Sequence, residues 1–354
     1  MRRMIGAAVV ALAVAAVASS AAAQEFYAGK QIRIIVGTGA GGGYDTYARL
    51  VARHLGDHIA GKPTFVVENM PGASGIKATN YLYEAAPKDG TVLASFNNAI
   101  PFYQTVKQPG IRFKSEELSW IGSLSQTPTV IAITKRAGVS NIEEAKHKEV
   151  IIGATGAAGT KAAYPALLNS LVGTKFKVVG GYASSKPIML AMERDEVQGD
   201  GGNPWSSWLI GKPDWVKDGT LVPLVQIGLK KEPTLPTIPL LSELVQNDEQ
   251  RAIAAFVSAP IAMQHPFAGP PGIPGERLEI LRRAFDAMVK HPAFLAEVEK
   301  LKLDLNPLNG AELKKLVQSI VTTPAPVVQK AQAAMVAKNI GKAPETGTGG
   351  GGEE

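Results

Sequence analysis

The chain has 354 residues, no cysteine, and 37 Lys and Arg against 31 Asp and Glu, a formal net charge of +6. The lack of cysteine excludes a disulfide, a thiolate metal site and a lipid-attachment site. The charges are scattered, without basic blocks or interleaved aromatics, which argues against nucleic acid as a partner, while the small positive excess is compatible with an anionic small ligand.

Arg2 and Arg3, an apolar run over 4–18 and small residues at Ala21 and Ala23 make up the pattern of a secretory signal, read as 1–23. The apolar run is shorter than the ~20 residues that span a bilayer. A cleaved leader and, in a cell with two membranes, a periplasmic product are expected. At the other end 343–354 reads APETGTGGGGEE, which has nothing to bury, so 341–354 is read as a disordered tail. The remainder exceeds the ~250–300 residues that one core usually holds. Two domains are expected, one discontinuous over 24–126 and 228–340, the other over 127–227.

In chain order, the β-branched run 32–36 predicts a strand. It enters a loop containing Gly37, Gly39, Gly41, Gly42 and Gly43, and Tyr44 and Asp45 then open a helix with Ala48, Val51, Leu55 and Ile59 at helical spacing. Strands are expected at 64–69 and 91–96, the latter ending on Asn97 and Asn98, with a helix over 74–86 between them. Strand signals recur within 120–134. The strand 149–154 enters a second small-residue loop, Thr155, Gly156, Ala157, Ala158, Gly159 and Thr160, ahead of a helix over 161–172. Strand 176–182, helix 188–195 and strand 221–228 follow. The last third reads as helices over 240–255, 276–290, 292–301, 311–320 and 327–337. Alternation of this kind predicts α/β domains with mainly parallel sheets, whose ligands sit beyond the carboxyl ends of the strands.

Each small-residue loop leaves backbone amides exposed at the positive end of a helix dipole, which suits an anion. Two such loops suggest one ligand held at both ends, each amide cluster suiting one carboxylate. A rival pattern is present: Gly37-x-Gly39-x-x-Gly42 fits the dinucleotide fingerprint, and Glu68 ends the following strand. Against a nicotinamide-dependent oxidoreductase stand the distance from Gly42 to Glu68, beyond the usual ~20 residues, the sharp turn at 69–72, the export signal and the lack of a catalytic set. No catalytic residue, metal site or cofactor is assigned. His54 and His58 lie one helical turn apart without the further ligands of a zinc site. His147, His265 and His291 are isolated, and Ser74 lacks the spacing of a nucleophile elbow. Gln126 and Thr127 sit where the chain is expected to pass between domains. Trp205 is a candidate pocket wall, and Lys186 a candidate anion contact or a solvent-facing lysine.

The runs 27–55 and 65–95 resemble the periplasmic solute-binding subunits of tripartite tricarboxylate transporters, the Bug or TctC-like proteins. The matching motifs are Ala40-Gly41-Gly42-Gly43-Tyr44-Asp45, then Val66-Val67-Glu68-Asn69-Met70-Pro71-Gly72-Ala73-Ser74-Gly75, then Ala86-Pro87-Lys88-Asp89-Gly90-Thr91. The resemblance continues to about residue 335. It implies a two-domain periplasmic binding protein (Venus flytrap, type II-like). The two hinge strands would lie near 126–130 and 225–228. It also implies capture of a small di-, tri- or aromatic carboxylate in an interdomain cleft, membrane transporter subunits as partners, and a monomeric receptor. A periplasmic ligand-sensing accessory protein would share the same site.

The candidate ligand-binding residues are Thr38, Gly39, Ala40, Gly41, Gly42, Gly43, Tyr44, Asn97, Asn98, Gln126, Thr127, Thr155, Gly156, Ala157, Ala158, Gly159, Thr160, Ser184, Asn203 and Trp205. Asp45 is expected to cap the helix and fix the loop. The chain departs from the family pattern at Gly37-Thr38-Gly39, at Tyr44, at Ala157-Ala158 and Lys161, and over 200–205. Tyr44, Lys161 and Trp205 are therefore expected to decide which acid fits.

Overall fold

A computed structural model describes residues 26–156, 159–182, 184–338 and 340–343. The leader, Ala157, Ala158 and the tail beyond 343 lie outside the described residues. The chain divides into two compact units. Unit 1 takes the chain up to Gln126 and again Ala259–Thr323, and unit 2 takes Thr127–Ser258 and the chain from Pro324.

Unit 1 begins with β1 (Gln31–Val36), α1 (Gly43–His54), β2 (Thr64–Asn69), α2 (Ile76–Glu84), β3 (Val92–Ser95), α3 (Ile100–Thr105) and β4 (Ser119–Ser125). Unit 2 follows with β5 (Thr129–Thr134), β6 (Val150–Gly153), α4 (Thr160–Leu171), β7 (Phe176–Gly180), α5 (Ser185–Glu193) and β8 (Gly199–Pro204). It continues through α6 (Trp205–Gly211), α7 (Pro213–Lys217), β9 (Leu221–Ile227), α8 (Leu241–Leu244) and α9 (Asp248–Ser258). The chain returns to unit 1 for β10 (Gln264–Gly269), α10 (Gly275–Met288), α11 (Pro292–Lys300), β11 (Leu308–Asn309) and α12 (Gly310–Val321). It ends in unit 2 with α13 (Ala325–Ala334) and β12 (Gly341–Lys342).

Each unit holds one six-stranded sheet. The order is β11-β4-β10-β3-β1-β2 in unit 1 and β12-β7-β6-β8-β5-β9 in unit 2. In unit 1 β2, β1 and β3 run parallel, whereas β10, β4 and β11 pair antiparallel. In unit 2 β12, β7, β6 and β8 run parallel, and β5 and β9 antiparallel. Both sheets are thus mixed: among the described residues two of five strand pairings are parallel in unit 1 and three of five in unit 2. Two strands escape a reading of the sequence for physical reasons. The central strand β10 carries Pro266, which lacks the donor that a ladder needs, and it accommodates an irregular register at Phe267/Ala268. The sequence GDGGNP of β8 has none of the β-branched residues that favour a strand, yet it lies between β6 and β5.

β1 is buried on both faces. Ile32, Ile34 and Val36 join Leu50 and Val51 of α1 with Phe267, Phe285 and Phe294 in one core cluster, and Ile35 is buried as well. Burying such side chains contributes roughly 1.5–3 kcal/mol each, which anchors the strand that feeds the first loop. In unit 2 Val130, Ile188, Met192, Trp205, Trp208 and Leu221 share a core.

The first passage between units falls after Gln126. The return does not fall at 228. Gln226 is fully buried, and its Nε2 donates to the Leu235 and Ile238 carbonyls, both at 2.9 Å, while its Oε1 accepts from Glu232 N at 2.7 Å. These bonds pin the segment after β9 onto unit 2, and the return comes at Ala259. Likewise α13 belongs to unit 2, where Lys330 pairs with Glu249. Gly341 and Lys342, assigned to the tail on composition, pair with Val179 and Gly180 of β7.

Candidate functional site

In unit 1 the loop between β1 and α1 exposes Gly39, Ala40, Gly41, Gly42 and Gly43. Its start is tied down by two bonds. Gly37 N donates to Ser95 O at 2.9 Å, and Asn69 Nδ2 donates to Thr38 O at 3.1 Å. Gly41 adopts φ +81°, a region that suits glycine, while Gly42 is the N-cap residue in extended conformation. A Cβ at Gly39 or Gly41 would meet nothing within 4 Å, and one at Gly42 only the Gly39 carbonyl at 3.9 Å. The leading N–H groups of α1, a helix of 12 residues, have no acceptor within the helix.

Asp45 braces this loop from the third position of the helix, not from the N-cap, which Gly42 occupies. Its Oδ2 accepts from Gly41 N at 2.9 Å and Arg49 Nε at 3.0 Å, and its Oδ1 accepts from Asn69 Nδ2 at 2.9 Å. Arg49 Nη2 also donates to Asn69 Oδ1 at 3.2 Å. The Arg49 guanidinium, against the opposing cost of burial, holds the Asp45 carboxyl down to about 2. The Gly41 amide is therefore used inside the protein. Arg49 and Asn69 are the residues that sequence reasoning passed over. The turn containing Asn69 was visible as a motif, but the side chain's role appears only once β2 lies beside β1.

The Tyr44 hydroxyl is engaged locally. It donates to Asn98 Oδ1 and accepts from Asn98 N, both at 3.0 Å, and the Tyr44 ring centroid lies 4.9 Å from that of His265. Burial pushes its phenol up to about 12. The side chains of Asn98 and Asn97 are committed to the local structure too. Asn98 Nδ2 donates to Pro260 O at 2.6 Å, and Asn97 Oδ1 accepts from Ala99 N at 2.8 Å. Gln126 Nε2 reaches the Asn306 and Pro307 carbonyls, both at 3.3 Å, and Thr127 begins unit 2 as a mostly buried residue. The Thr38 hydroxyl is buried without a partner among the described residues.

His265, isolated in the sequence, lies beneath this loop. It stacks on Tyr47 with centroids 3.8 Å apart, and a Cβ on Gly43 would sit 3.4 Å from its Cε1. It holds φ +53°, uncommon for a residue with a side chain. Its Nδ1 is buried without a partner among the described residues, and burial pulls the imidazole down to about 4.

In unit 2 the loop after β6 opens α4. Gly159 is the N-cap, its carbonyl accepting from Ala162 N and Ala163 N at 3.0 Å, and Gly159 N donates to Gly156 O at 3.1 Å. The Thr155 carbonyl accepts from Gly181 N at 3.2 Å. Gly156 and Gly159 are partly exposed and Thr160 is exposed; Ala157 and Ala158 lie outside the described residues.

Behind this helix start lies a buried polar network. Lys161 Nζ donates to Asp200 Oδ1 at 2.5 Å, Gly202 O at 2.6 Å and Asn203 Oδ1 at 3.0 Å. Asn203 Nδ2 donates to Asp200 Oδ2 at 3.0 Å, and Ser185 Oγ to Asn203 Oδ1 at 2.8 Å. Burial pulls the Lys161 ammonium down and pushes the Asp200 carboxyl up, and each partner opposes the shift of the other. Asn203 is thus engaged. Ser184 is exposed as the N-cap of α5, and Lys186 is exposed two residues on. Trp205 lies inward. It is 4% exposed within the unit 2 core, with its Nε1 unpartnered among the described residues. Its indole follows directly on β8 and packs with that sheet's own helices.

Two sequence-level alternatives meet committed side chains. Glu68 forms a two-bond pair with Arg33, at 2.6 and 2.8 Å. That occupies the carboxylate which the dinucleotide reading needs for a ribose. His54 Nε2 bonds Glu297 at 2.6 Å, and the ring of His58 lies 5.1 Å from that of His291. Among the described residues no group of three or more His, Asp or Glu side chains is placed to hold a metal ion.

Two α/β units, each with a mixed sheet and a small-residue loop opening a helix beyond a parallel strand, define the fold of the periplasmic solute-binding proteins. Residues 47–333 match the family described as the tripartite tricarboxylate transporter family receptor, TctC, and the chain belongs to that family. A UPF0065 protein of Bordetella bronchiseptica is 26% identical over 77% of both chains, and one of Cupriavidus necator 24% identical over 93% of this chain and 95% of its own. Among solved structures, a TctC solute-binding protein from Polaromonas, without ligand, superposes with TM-score 0.67 at 18% identity, covering 86% of this chain and 98% of its own. An R. palustris protein with adipate superposes with TM-score 0.57 at 18% identity, over 86% and 97% of the two chains. A further protein of that species, with bound malate, gives TM-score 0.55 at 18% identity, over 84% and 99%.

Proposed function

We propose that this chain is a periplasmic receptor which captures a small organic carboxylate and presents it to the membrane subunits of a tripartite transporter. The leader at 1–23 would be removed on export, and the receptor would work as a monomer without chemistry of its own. One observation carries the carboxylate reading. The exposed loop Gly39–Gly43 opens a 12-residue helix whose nearby carboxylate, Asp45, is turned inward onto Gly41, Arg49 and Asn69. That leaves the remaining amides and the positive helix end for an incoming anion. The loop at Gly156, Gly159 and Thr160 is the second anion-receiving element in this reading. Adipate and malate in the structures of similar fold support a dicarboxylate as the first ligand to try.

The mature protein should gain melting temperature with at least one member of a panel of di-, tri- and aromatic carboxylates, because a ligand that binds only the native state stabilises it. A flat response across the panel sinks the proposal. N-terminal sequencing of the exported protein tests the leader.

A further inference from the structure

Three of the chain's five histidines meet at one place in unit 1, where α1 and the turn after it lie against α11. One of the three is committed. His54, the last residue of α1, bonds Glu297 at 2.6 Å and stands T-shaped to the Phe294 ring, with Arg53 on the same carboxylate at 2.5 Å. The other two are bare. His58 closes the short 3-10 turn Leu55–His58 that follows α1, and His291 is the N-cap residue of α11. Their rings stand at 71° to each other with centroids 5.1 Å apart, and among the described residues neither ring has a hydrogen-bond or ion-pair partner. His58 is half-buried and His291 exposed, so solutes reach the pair.

Two imidazoles that share one metal ion have that spacing. A zinc–nitrogen bond of about 2.0–2.1 Å sets the centre of each ligating ring about 3.2 Å from the ion, so on a tetrahedral ion the two centres stand about 5.2 Å apart. Turning a ring about its Cβ–Cγ bond, a broad torsion in histidine, aims its nitrogens while leaving its centre nearly in place. An unpartnered imidazole nitrogen suits borderline divalent cations, whereas calcium and magnesium prefer oxygen. We propose that His58 and His291 form a two-imidazole site for a divalent cation of the zinc class, which staples the turn after α1 to the N-cap of α11. Among the described residues no third His, Asp or Glu completes a set of three, and neighbouring Asp57 faces Lys62 at 3.9 Å. Water fills the remaining positions, which makes the site open and exchangeable rather than a closed structural one. Neither histidine belongs to the loops of the carboxylate reading, so the two sites stand or fall separately.

The test is calorimetric titration of the full mature protein, free of any polyhistidine tag, with zinc alone, since a dicarboxylate would itself bind the metal. One zinc per chain should bind with a dissociation constant below about 0.1 mM. His58→Ala and His291→Ala should each weaken binding at least about tenfold, because even the partners that support a metal ligand are worth that much in affinity. His54→Gln, which leaves both bare rings in place, should bind zinc as wild type does. Binding weaker than about 1 mM in wild type overturns the proposal, and so does binding that survives both alanine variants. Loss with His54→Gln but not with His291→Ala overturns it too, because the ion would then sit at Glu297. A second measurement needs no variant and so holds even where an alanine variant misfolds. Zinc should slow diethyl pyrocarbonate modification of wild type several-fold at His58 and His291, read residue by residue by mass spectrometry, and leave exposed His147 unchanged. Equal rates at the pair with and without zinc overturn the site.

Discussion

The two loops do the same structural job with opposite charges. At the first, a carboxylate lies in the opening turn of α1, where the helix dipole favours it, and its cation Arg49 is 45% exposed on the side chain. At the second, a lysine lies in the opening turn of α4, where the dipole opposes it, and its partner Asp200 is wholly buried. The first brace is built from favourable local terms and rests on the surface. The second exists only because tertiary structure supplies a buried counter-charge. Loops of similar composition can therefore differ sharply in how they fail.

The largest effect should come from splitting the buried pair. Lys161→Met should destabilise the protein by about 3–5 kcal/mol, the range found when one partner of a buried ion pair is removed. Urea unfolding checks it, and a loss below about 1 kcal/mol would show that water reaches Asp200. Next comes His265 beneath the first loop. Its folded-state value of about 4 lies below the ordinary 6.5, so the unfolded chain binds more protons between these values. Stability should then fall by about 3 kcal/mol as pH drops from 7 to 4, taking 1.36 kcal/mol per unit. His265→Phe should remove that slope, which pH-dependent denaturation would reveal.

Asp45 is smaller. Its carboxyl is held at about 2 against an ordinary 3.8. Its contribution, about 2 kcal/mol, is complete above the unfolded value and lost as pH falls from about 4 through 2. Asp45→Asn should flatten the acid limb of the stability profile, and an unchanged limb would mean that Arg49 does not hold it. The smallest change in stability belongs to Gly42→Leu. Its extended backbone accepts any side chain and little lies near the added Cβ, so the cost should be that of an unfavourable N-cap residue, about 1 kcal/mol. The carboxylate-induced rise in melting temperature should nevertheless vanish, and a persisting rise would place the ligand elsewhere.

Much of the fold was legible. β1, the glycine loop and α1 follow from local pattern because periodicity and glycine conformation act within a few residues. The strands β10 and β8 did not, since Pro266 and the run GDGGNP conflict with strand propensity and only neighbouring strands impose the conformation. The return of the chain at Ala259 depends on Gln226, a single buried amide whose three bonds hold a segment that composition would have assigned elsewhere.

The sequence by itself determined that two small-residue loops open two helices, and its motifs pointed to the transporter-receptor family. These are local and collinear features. Which side chains remain free at those loops was decided only by tertiary structure. Tyr44, Lys161 and Trp205, the three positions expected to select the ligand, are respectively tied to Asn98, paired with Asp200 and buried in a core. A polar group's availability depends on whether a partner from a distant element has already taken it. For Lys161 that partner arrives from β8, 39 residues along the chain.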